Sequence, residues 1–157
     1  MSLDSALQSL KRGEFVLLFD SAGRENEIDM VVAAEFVTPE HVARMRQHAG
    51  GLLCIAIENN FAASLDLQYM HEILAESSIS NKEMIMGLAP YGDHPTFSLS
   101  VNHYQTYTGI TDKDRALTIN EMAKIYDVEN KQKKFASSFK TPGPVSYTHL
   151  RAHETLM

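Results

Sequence analysis

Apolar and polar positions follow two different periods along the N-terminal part of the chain, and these periods predict the elements there. Leucines recur at helical spacing over residues 3–12, ahead of Gly13, which predicts a helix that ends at this glycine. The apolar run "EFVLLFD" at 14–20 predicts a buried strand, and "MVVAAEFV" at 30–37 predicts a second strand. A strongly charged loop separates these two strands.

In the middle of the chain, helices and strands continue to alternate. Residues 38–51 predict a helix with a threonine N-cap, proline at its first position and two glycines at its end. "LLCIAI" at 52–57 predicts a third buried strand, followed by a short helix at 58–66. Residues 68–94 are mixed in character and predict an irregular connection with one helical segment.

The pattern then returns to a strand and a long helix. "TFSLSVNH" at 96–103 alternates and predicts a half-buried strand. A helix follows, for which Thr118 and Glu121 form a candidate capping-box pair. This order of elements predicts an α+β protein built of α/β layers, with a mixed β-sheet flanked by helices.

The C-terminal stretch "VSYTHLRAHETLM" differs from everything before it, with no evident apolar period, cap or turn. Val145 to Thr155 also match the translation of a transposon-type sequencing-library adapter. We therefore interpret residues 145–157 as a non-native tail, exclude them from the fold prediction, and assign residues 1–144 to one incomplete domain.

Composition narrows the class of protein. The chain has 157 residues, which suits one domain, and its formal charge of −6 argues against non-specific nucleic-acid binding. A single cysteine, Cys54, excludes an internal disulfide and fits a reducing compartment. No apolar run is long enough for a membrane span, so we expect a cytoplasmic protein.

The charged loop "GRENEIDMVVAAE" at 23–35 is the first candidate for chemistry. Glu25, Glu27 and Asp29 alternate, so in an extended segment their carboxylates would project to one side. Such a cluster needs a cation, a proton or an arginine to compensate it, which favours a Mg2+ or acid–base site. A solvated hairpin tip is the open alternative.

The segment "YTGITDKDR" at 107–115 is the second candidate. Hydroxyls and a glycine ahead of a helix can present backbone N–H groups to a phosphate, with Thr108 and Thr111 adding side-chain donors. Ordinary turn chemistry is the simpler reading, with Thr111 as N-cap and Asp114 as its capping-box partner.

Several separated motifs resemble 3,4-dihydroxy-2-butanone-4-phosphate synthase, an enzyme family of riboflavin biosynthesis. The resemblance rests on residues 19–57, with the R-E-x-E-x-D loop, and on 97–119 and 139–143, and it is strongest to archaeal-type members. It implies a lyase that converts D-ribulose 5-phosphate to L-3,4-dihydroxy-2-butanone 4-phosphate and formate, with Mg2+, or Mn2+ in its place. It also implies a homodimer when the chain is full-length.

The resemblance assigns roles by position in this sequence. It implies that Glu25 and Glu27 bind the metal and that Glu25, Glu27 and Asp29 are catalytic. The implied substrate contacts are Arg24, Glu25, Asp29, Thr108 and, in a supporting role, Asp20.

Two departures from the family pattern affect the expected activity. Pro144 stands where the family has a histidine thought to transfer protons, and a later Arg-x-Gly-His-Thr segment is absent from the 157 residues. We therefore expect a C-terminally truncated form without turnover. A non-catalytic fragment that binds Mg2+ or a phosphosugar, and a different Mg2+-dependent phosphosugar isomerase, are the alternatives.

Overall fold

The computed structural model describes residues 2–20, 25–85, 87–92 and 94–150, with the side chains of 149 and 150 excepted. Seven helices in these ranges are numbered α1 to α7. In chain order they are Leu3–Lys11, Pro39–His48, Asn59–Ser64, Met70–Glu76, Lys82–Ile85, Asp112–Ile125 and Lys131–Ser138. Five strands, β1 to β5, are Val16–Phe19, Ile28–Val31, Cys54–Glu58, Val101–His103 and Phe139–Leu150, and a short 3-10 helix covers Ala34–Phe36.

The strands form two separate sheets within the described part of the chain. β1 and β2 make an antiparallel hairpin. The other sheet has the order β3-β5-β4, with β5 parallel to β3 and antiparallel to β4. The predicted α+β class with a mixed sheet flanked by helices is therefore confirmed.

Helices fixed by local signals form where the sequence predicts them. α1 ends just before Gly13, which takes a positive φ of 71°. α2 starts with Thr38 as N-cap, and the Thr38 hydroxyl accepts the backbone N–H of His41. The imidazole of His41 then bonds Gly13 O through Nε2 at 3.0 Å, which ties the start of α2 to the end of α1.

The predicted burial and extent of the strands were less accurate. Only Val16 of β1 is buried, whereas Leu17 and Phe19 are 62% and 64% exposed. The second predicted strand ends at Val31, because the chain turns into the 3-10 helix at 34–36. Where the structure describes it, the connection at 68–94 contains two helices, α4 and α5, instead of one.

The hydrophobic core lies between the three-stranded sheet and the helices packed on it. Its residues are fully or nearly buried apolar side chains from both layers. They include Val42, Ile55, Ile57, Phe61, Val101, Ile119, Met122, Ile125, Val145 and Tyr147. Both β3 and α6 contribute side chains to this core.

Strand β5 includes the first residues of the C-terminal stretch that we excluded from the fold prediction. Val145 and Tyr147 are 0% exposed, and the alternate residues Ser146 and Thr148 are half-buried. The stretch therefore does contain a period-two pattern, and this pattern was missed. The non-native origin of residues 145–157 stays a prediction, while residues 146–150 supply the part of the middle strand that pairs with β3.

Candidate active site

The acidic loop, residues 20–27, joins β1 to β2 in the hairpin. Phe19 pairs with Ile28 at the end of the ladder, and the backbone N–H of Asp20 donates to Glu27 O at 3.0 Å. Residues 21–24 lie outside the described residues, so the predicted substrate contact Arg24 is not placed.

Asp20 shapes the tip of the hairpin. Its Oδ2 accepts the backbone N–H of Glu25 at 2.9 Å. Asn26 follows with a φ of 57°, a left-handed conformation that asparagine tolerates better than most residues. Asp20, a predicted substrate contact, therefore uses one carboxylate oxygen to hold the backbone that carries Glu25.

The carboxylates of the tip do not form one alternating row. The strand begins only at Ile28, and the left-handed Asn26 interrupts the extended geometry on which the alternation of Glu25 with Asp29 depends. Among the described residues, no group of three or more acidic, histidine or cysteine side chains is gathered for a metal. The predicted three-carboxylate convergence is absent there, although Glu25, Glu27 and Asp29 are all exposed.

Cys54 lies at the start of β3 and is half-buried. Burial and, second, the negative charge of Asp29 raise the pKa of the Cys54 thiol. The thiol is therefore protonated at neutral pH, which fits a small, half-buried side chain and not a nucleophile.

The threonine turn at residues 107–111 confirms Thr111 as the N-cap of α6, but the predicted capping-box pairing of Thr111 with Asp114 is wrong. Thr111 is the N-cap of α6, and its hydroxyl accepts the backbone N–H of Asp114 at 3.1 Å. The Asp114 carboxylate accepts the backbone N–H groups of Thr108 at 3.2 Å and Gly109 at 2.9 Å. These are the N–H groups that a phosphate would need, so a carboxylate of the chain already occupies them.

The charge state of Asp114 supports this arrangement. Burial works to raise its pKa, but hydrogen bonds from the backbone of Gly109, Tyr107 and Thr108 outweigh burial and lower it. Asp114 is therefore ionised at neutral pH. The hydroxyl of Thr108 donates to the same carboxylate at 3.5 Å and accepts the backbone N–H of Ile110 at 3.3 Å.

The predicted capping-box pair of Thr118 and Glu121 is wrong. Thr118 lies inside α6 and is 0% exposed. Its hydroxyl donates to Asn102 Oδ1 at 3.3 Å and accepts the backbone N–H of His103 at 3.2 Å. The real helix start is Thr111, whose hydroxyl makes the capping bond.

The structure brings four of the predicted residues together and leaves one on another element. Asp20, Glu25, Glu27 and Asp29 all belong to the β1–β2 hairpin and its tip. Thr108 belongs to the turn before α6. A groove of about 320 Å3 beside β3 is lined by Ala33–Glu35, 55–58 and α6 residues, and none of the described site residues lines it.

Sequence reasoning missed Asn102. This residue is 5% exposed in β4, and its amide lies against Gly109. A buried asparagine in a strand, followed by a Thr-Gly turn, was the only signal for it in the sequence. Its partner Thr118 is distant in sequence, so no local pattern connects the two.

Comparison with known proteins identifies the family of this chain. The family model of 3,4-dihydroxy-2-butanone 4-phosphate synthase matches residues 4–157. The chain belongs to this family. A 3,4-dihydroxy-2-butanone 4-phosphate synthase of Methanothermobacter thermautotrophicus is 43% identical over 155 residues, which cover 96% of this chain and 66% of the relative. A synthase of the same name from Methanosarcina mazei is 36% identical, and the alignment covers 99% of this chain and 65% of the relative.

A solved structure gives the same family assignment. A crystal structure of a 3,4-dihydroxy-2-butanone 4-phosphate synthase in complex with two magnesium ions superposes with a TM-score of 0.72 at 30% identity. The alignment covers 98% of this chain and 62% of that protein. The chain thus spans about two thirds of the length of the synthases that it matches. None of the helices in the described ranges is long and apolar enough to cross a membrane.

Proposed function

We propose that this chain is the part of a 3,4-dihydroxy-2-butanone 4-phosphate synthase that carries the acidic loop of the active site. The full-length enzyme would convert D-ribulose 5-phosphate to L-3,4-dihydroxy-2-butanone 4-phosphate and formate in riboflavin biosynthesis. The observation that carries the proposal is the exposed acidic tip at Glu25 and Glu27, in a chain whose family match covers residues 4–157.

The donor set at this tip fits a hard divalent cation. Mg2+ is held by one or two carboxylates, with the remaining positions taken by water and substrate oxygens. Glu25 and Glu27 offer exposed carboxylates, and one oxygen of Asp20 is engaged with the loop backbone. Glu25 and Glu27 would hold Mg2+, or Mn2+ in its place. The bound ion would polarise the oxygens of the sugar as a Lewis acid.

The chain's own residues have complementary tasks in this proposal. Asp29 is exposed and lies in β2 of the hairpin. There its carboxylate would accept or return a proton of the bound sugar. Thr108 would contact the substrate through its hydroxyl, because its N–H is taken by Asp114. Arg24 would bind the substrate beside Glu25.

We further propose that residues 1–157 alone have no turnover. Pro144 replaces the histidine expected for proton transfer, and the Arg-x-Gly-His-Thr segment expected by resemblance is not in this sequence. A proline has no titratable side chain, so it cannot perform that role. We also propose that the full-length enzyme is a cytoplasmic homodimer, which light scattering would test.

Two measurements on purified 1–157 test these proposals. The first is formate release from ribulose 5-phosphate, with Glu25→Ala as the reference. We expect both proteins to give the same background, and release above that of Glu25→Ala would contradict the loss of turnover.

The second measurement is calorimetric binding of Mg2+ and of ribulose 5-phosphate in the presence of Mg2+. We expect Mg2+ binding to be lost in Glu25→Ala and retained in Asp127→Ala. Asp127 is an exposed acid just after the end of α6. Equal Mg2+ affinity in both variants would remove Glu25 as a metal ligand. Binding of the sugar phosphate without turnover would support a binding fragment.

A further inference from the structure

Asn102 is a buried polar residue with a fixed orientation. Its Oδ1 accepts a hydrogen bond from Thr118 Oγ1 at 3.3 Å, and Thr118 in turn accepts the backbone N–H of His103. Asn102 is 5% exposed and Thr118 is 0% exposed. Because both partners are buried between β4 and α6, the amide of Asn102 cannot rotate away without leaving polar atoms unsatisfied.

On one side, this amide sets the position of the threonine turn. Gly109 has a φ of 81°, and a Cβ at this position would lie 2.2 Å from Asn102 Nδ2. The Asp114 carboxylate holds the N–H groups of Thr108 and Gly109 from the other direction. The turn that presents the Thr108 hydroxyl is therefore clamped between Asn102 and Asp114.

The backbone of the same short strand sets the position of a second segment. The ladder between β4 and β5 shifts register between Val101 and Asn102, so residues 141–144 leave the ladder at this point. A Cβ at Gly143 would lie 2.0 Å from the carbonyl carbon of Val101 and 2.4 Å from the backbone N of Asn102. The next residue is Pro144, where the resemblance expects the proton-transfer histidine.

We propose that Asn102 is a positioning residue of the active site. Its side-chain bond to Thr118 holds β4, whose backbone contacts Gly143, and its amide contacts Gly109. Asn102 thereby fixes the distance between the turn that carries Thr108 and segment 141–144, so that a bound sugar phosphate contacts both. Asn102 does not itself contact the substrate. This inference rests on the proposed function, because that function supplies the ligand.

The test compares Asn102→Ala with the conservative variant Asn102→Asp, which keeps an oxygen acceptor for Thr118. Calorimetry in the presence of Mg2+ should show ribulose 5-phosphate binding about tenfold weaker in Asn102→Ala and within about threefold of wild type in Asn102→Asp. Binding of Mg2+ alone should be equal in all three proteins, because the hairpin belongs to the other sheet. Unchanged sugar-phosphate binding in Asn102→Ala would overturn the inference.

Asn120→Ala is the matched control for a loss of stability. The Nδ2 of Asn120 donates to Ala34 O at 2.7 Å, a bond between two elements that does not involve the threonine turn. Asn120→Ala should lower the thermal unfolding midpoint and leave ribulose 5-phosphate binding unchanged. Equal losses of binding in Asn120→Ala and Asn102→Ala would mean that Asn102 acts on stability alone.

A separate readout distinguishes failure of this inference from failure of the proposed function. If wild type binds no ribulose 5-phosphate, the proposed binding function fails for this chain. The amide NMR resonances of Gly109 and Gly143 then decide the role of Asn102. If both resonances shift in Asn102→Ala, or in Asn102→Asp where the alanine variant does not fold, the positioning role of Asn102 is supported. The absence of such shifts, or equal shifts in Asn120→Ala, overturns it.

Discussion

The carboxylate of Asp20 accepts the backbone N–H of Glu25 with 2.9 Å between oxygen and nitrogen. This bond spans the tip of the hairpin. It joins Asp20, which directly follows β1, to Glu25 in the acidic loop. The backbone N–H of Asp20 bonds Glu27 O across the same tip. Asp20 therefore controls the conformation in which Glu25 and Glu27 are presented.

We predict that Asp20→Ala weakens Mg2+ binding about tenfold, a size typical of residues that orient metal ligands. Asp20→Asn retains an oxygen acceptor and should lose less. Calorimetric titration with Mg2+ measures both effects. Asp127→Ala, which removes an exposed acid elsewhere, should bind Mg2+ as wild type does. Equal affinity in Asp20→Ala and wild type would show that this bond does not shape the site.

Thr118→Val should destabilise the fold. Valine has nearly the same shape, but it leaves the N–H of His103 and Oδ1 of Asn102 without their partner in a buried place. The expected loss is about 1–3 kcal/mol in the free energy of unfolding. Urea denaturation measures it, and Thr111→Val, which removes an exposed cap, gives a comparison of about 1 kcal/mol. A loss in Thr118→Val smaller than in Thr111→Val would contradict the network.

His103 should make the fold less stable in acid. Burial lowers its pKa, Glu121 partly opposes this, and Lys134 and Lys124 add to it. Because the folded pKa lies below the unfolded value of 6.5, the unfolded chain binds a proton first as the pH falls. The free energy of unfolding should therefore decrease below about pH 6.5.

Urea denaturation at neutral and at mildly acidic pH tests this sign. His103→Gln should show a smaller decrease on acidification than wild type, since glutamine does not titrate. His48→Gln removes an exposed histidine and should keep the wild-type dependence. The prediction fails if both variants behave alike.

Tyr147→Phe should stabilise the protein. Tyr147 is 0% exposed, and its hydroxyl finds no hydrogen-bond partner in the described part of the chain. Removal of a buried, unsatisfied hydroxyl should raise the free energy of unfolding by about 1 kcal/mol. The reference is Tyr107→Phe, because Tyr107 is 95% exposed and its hydroxyl is hydrated in both states. A lower free energy of unfolding in Tyr147→Phe than in wild type would indicate that the hydroxyl has a hydrogen-bond partner.

The hairpin should bind hydrophobic dyes. Leu17, Phe19 and Ile28 are each more than 60% exposed, at 62%, 64% and 63%, and the register places them on one face. An apolar face of this kind promotes association. We expect Leu17→Thr with Phe19→Thr to reduce dye fluorescence and aggregation. Leu52→Thr, at an equally exposed site outside the hairpin, should change them less.

Features that depend on neighbours within a few residues can be predicted from the sequence. Gly13 ends α1 because glycine readily adopts positive φ, and Thr38 starts α2 because its hydroxyl reaches an N–H three residues on. The family resemblance was also carried by short motifs, and the family match confirms it. It selected the acidic loop as the candidate site without showing its geometry.

Features that depend on distant partners are visible only in the folded chain. Asn26 breaks the alternation of the acidic loop, the carboxylate of Asp114 occupies the N–H groups expected to hold phosphate, and Tyr147 enters the middle of a sheet. Burial, strand order and side-chain partners arise from segments far apart in the chain, here Asn102 with Thr118 and β3 with β5. Local patterns do not encode these pairings, because each pairing depends on where the other segment packs.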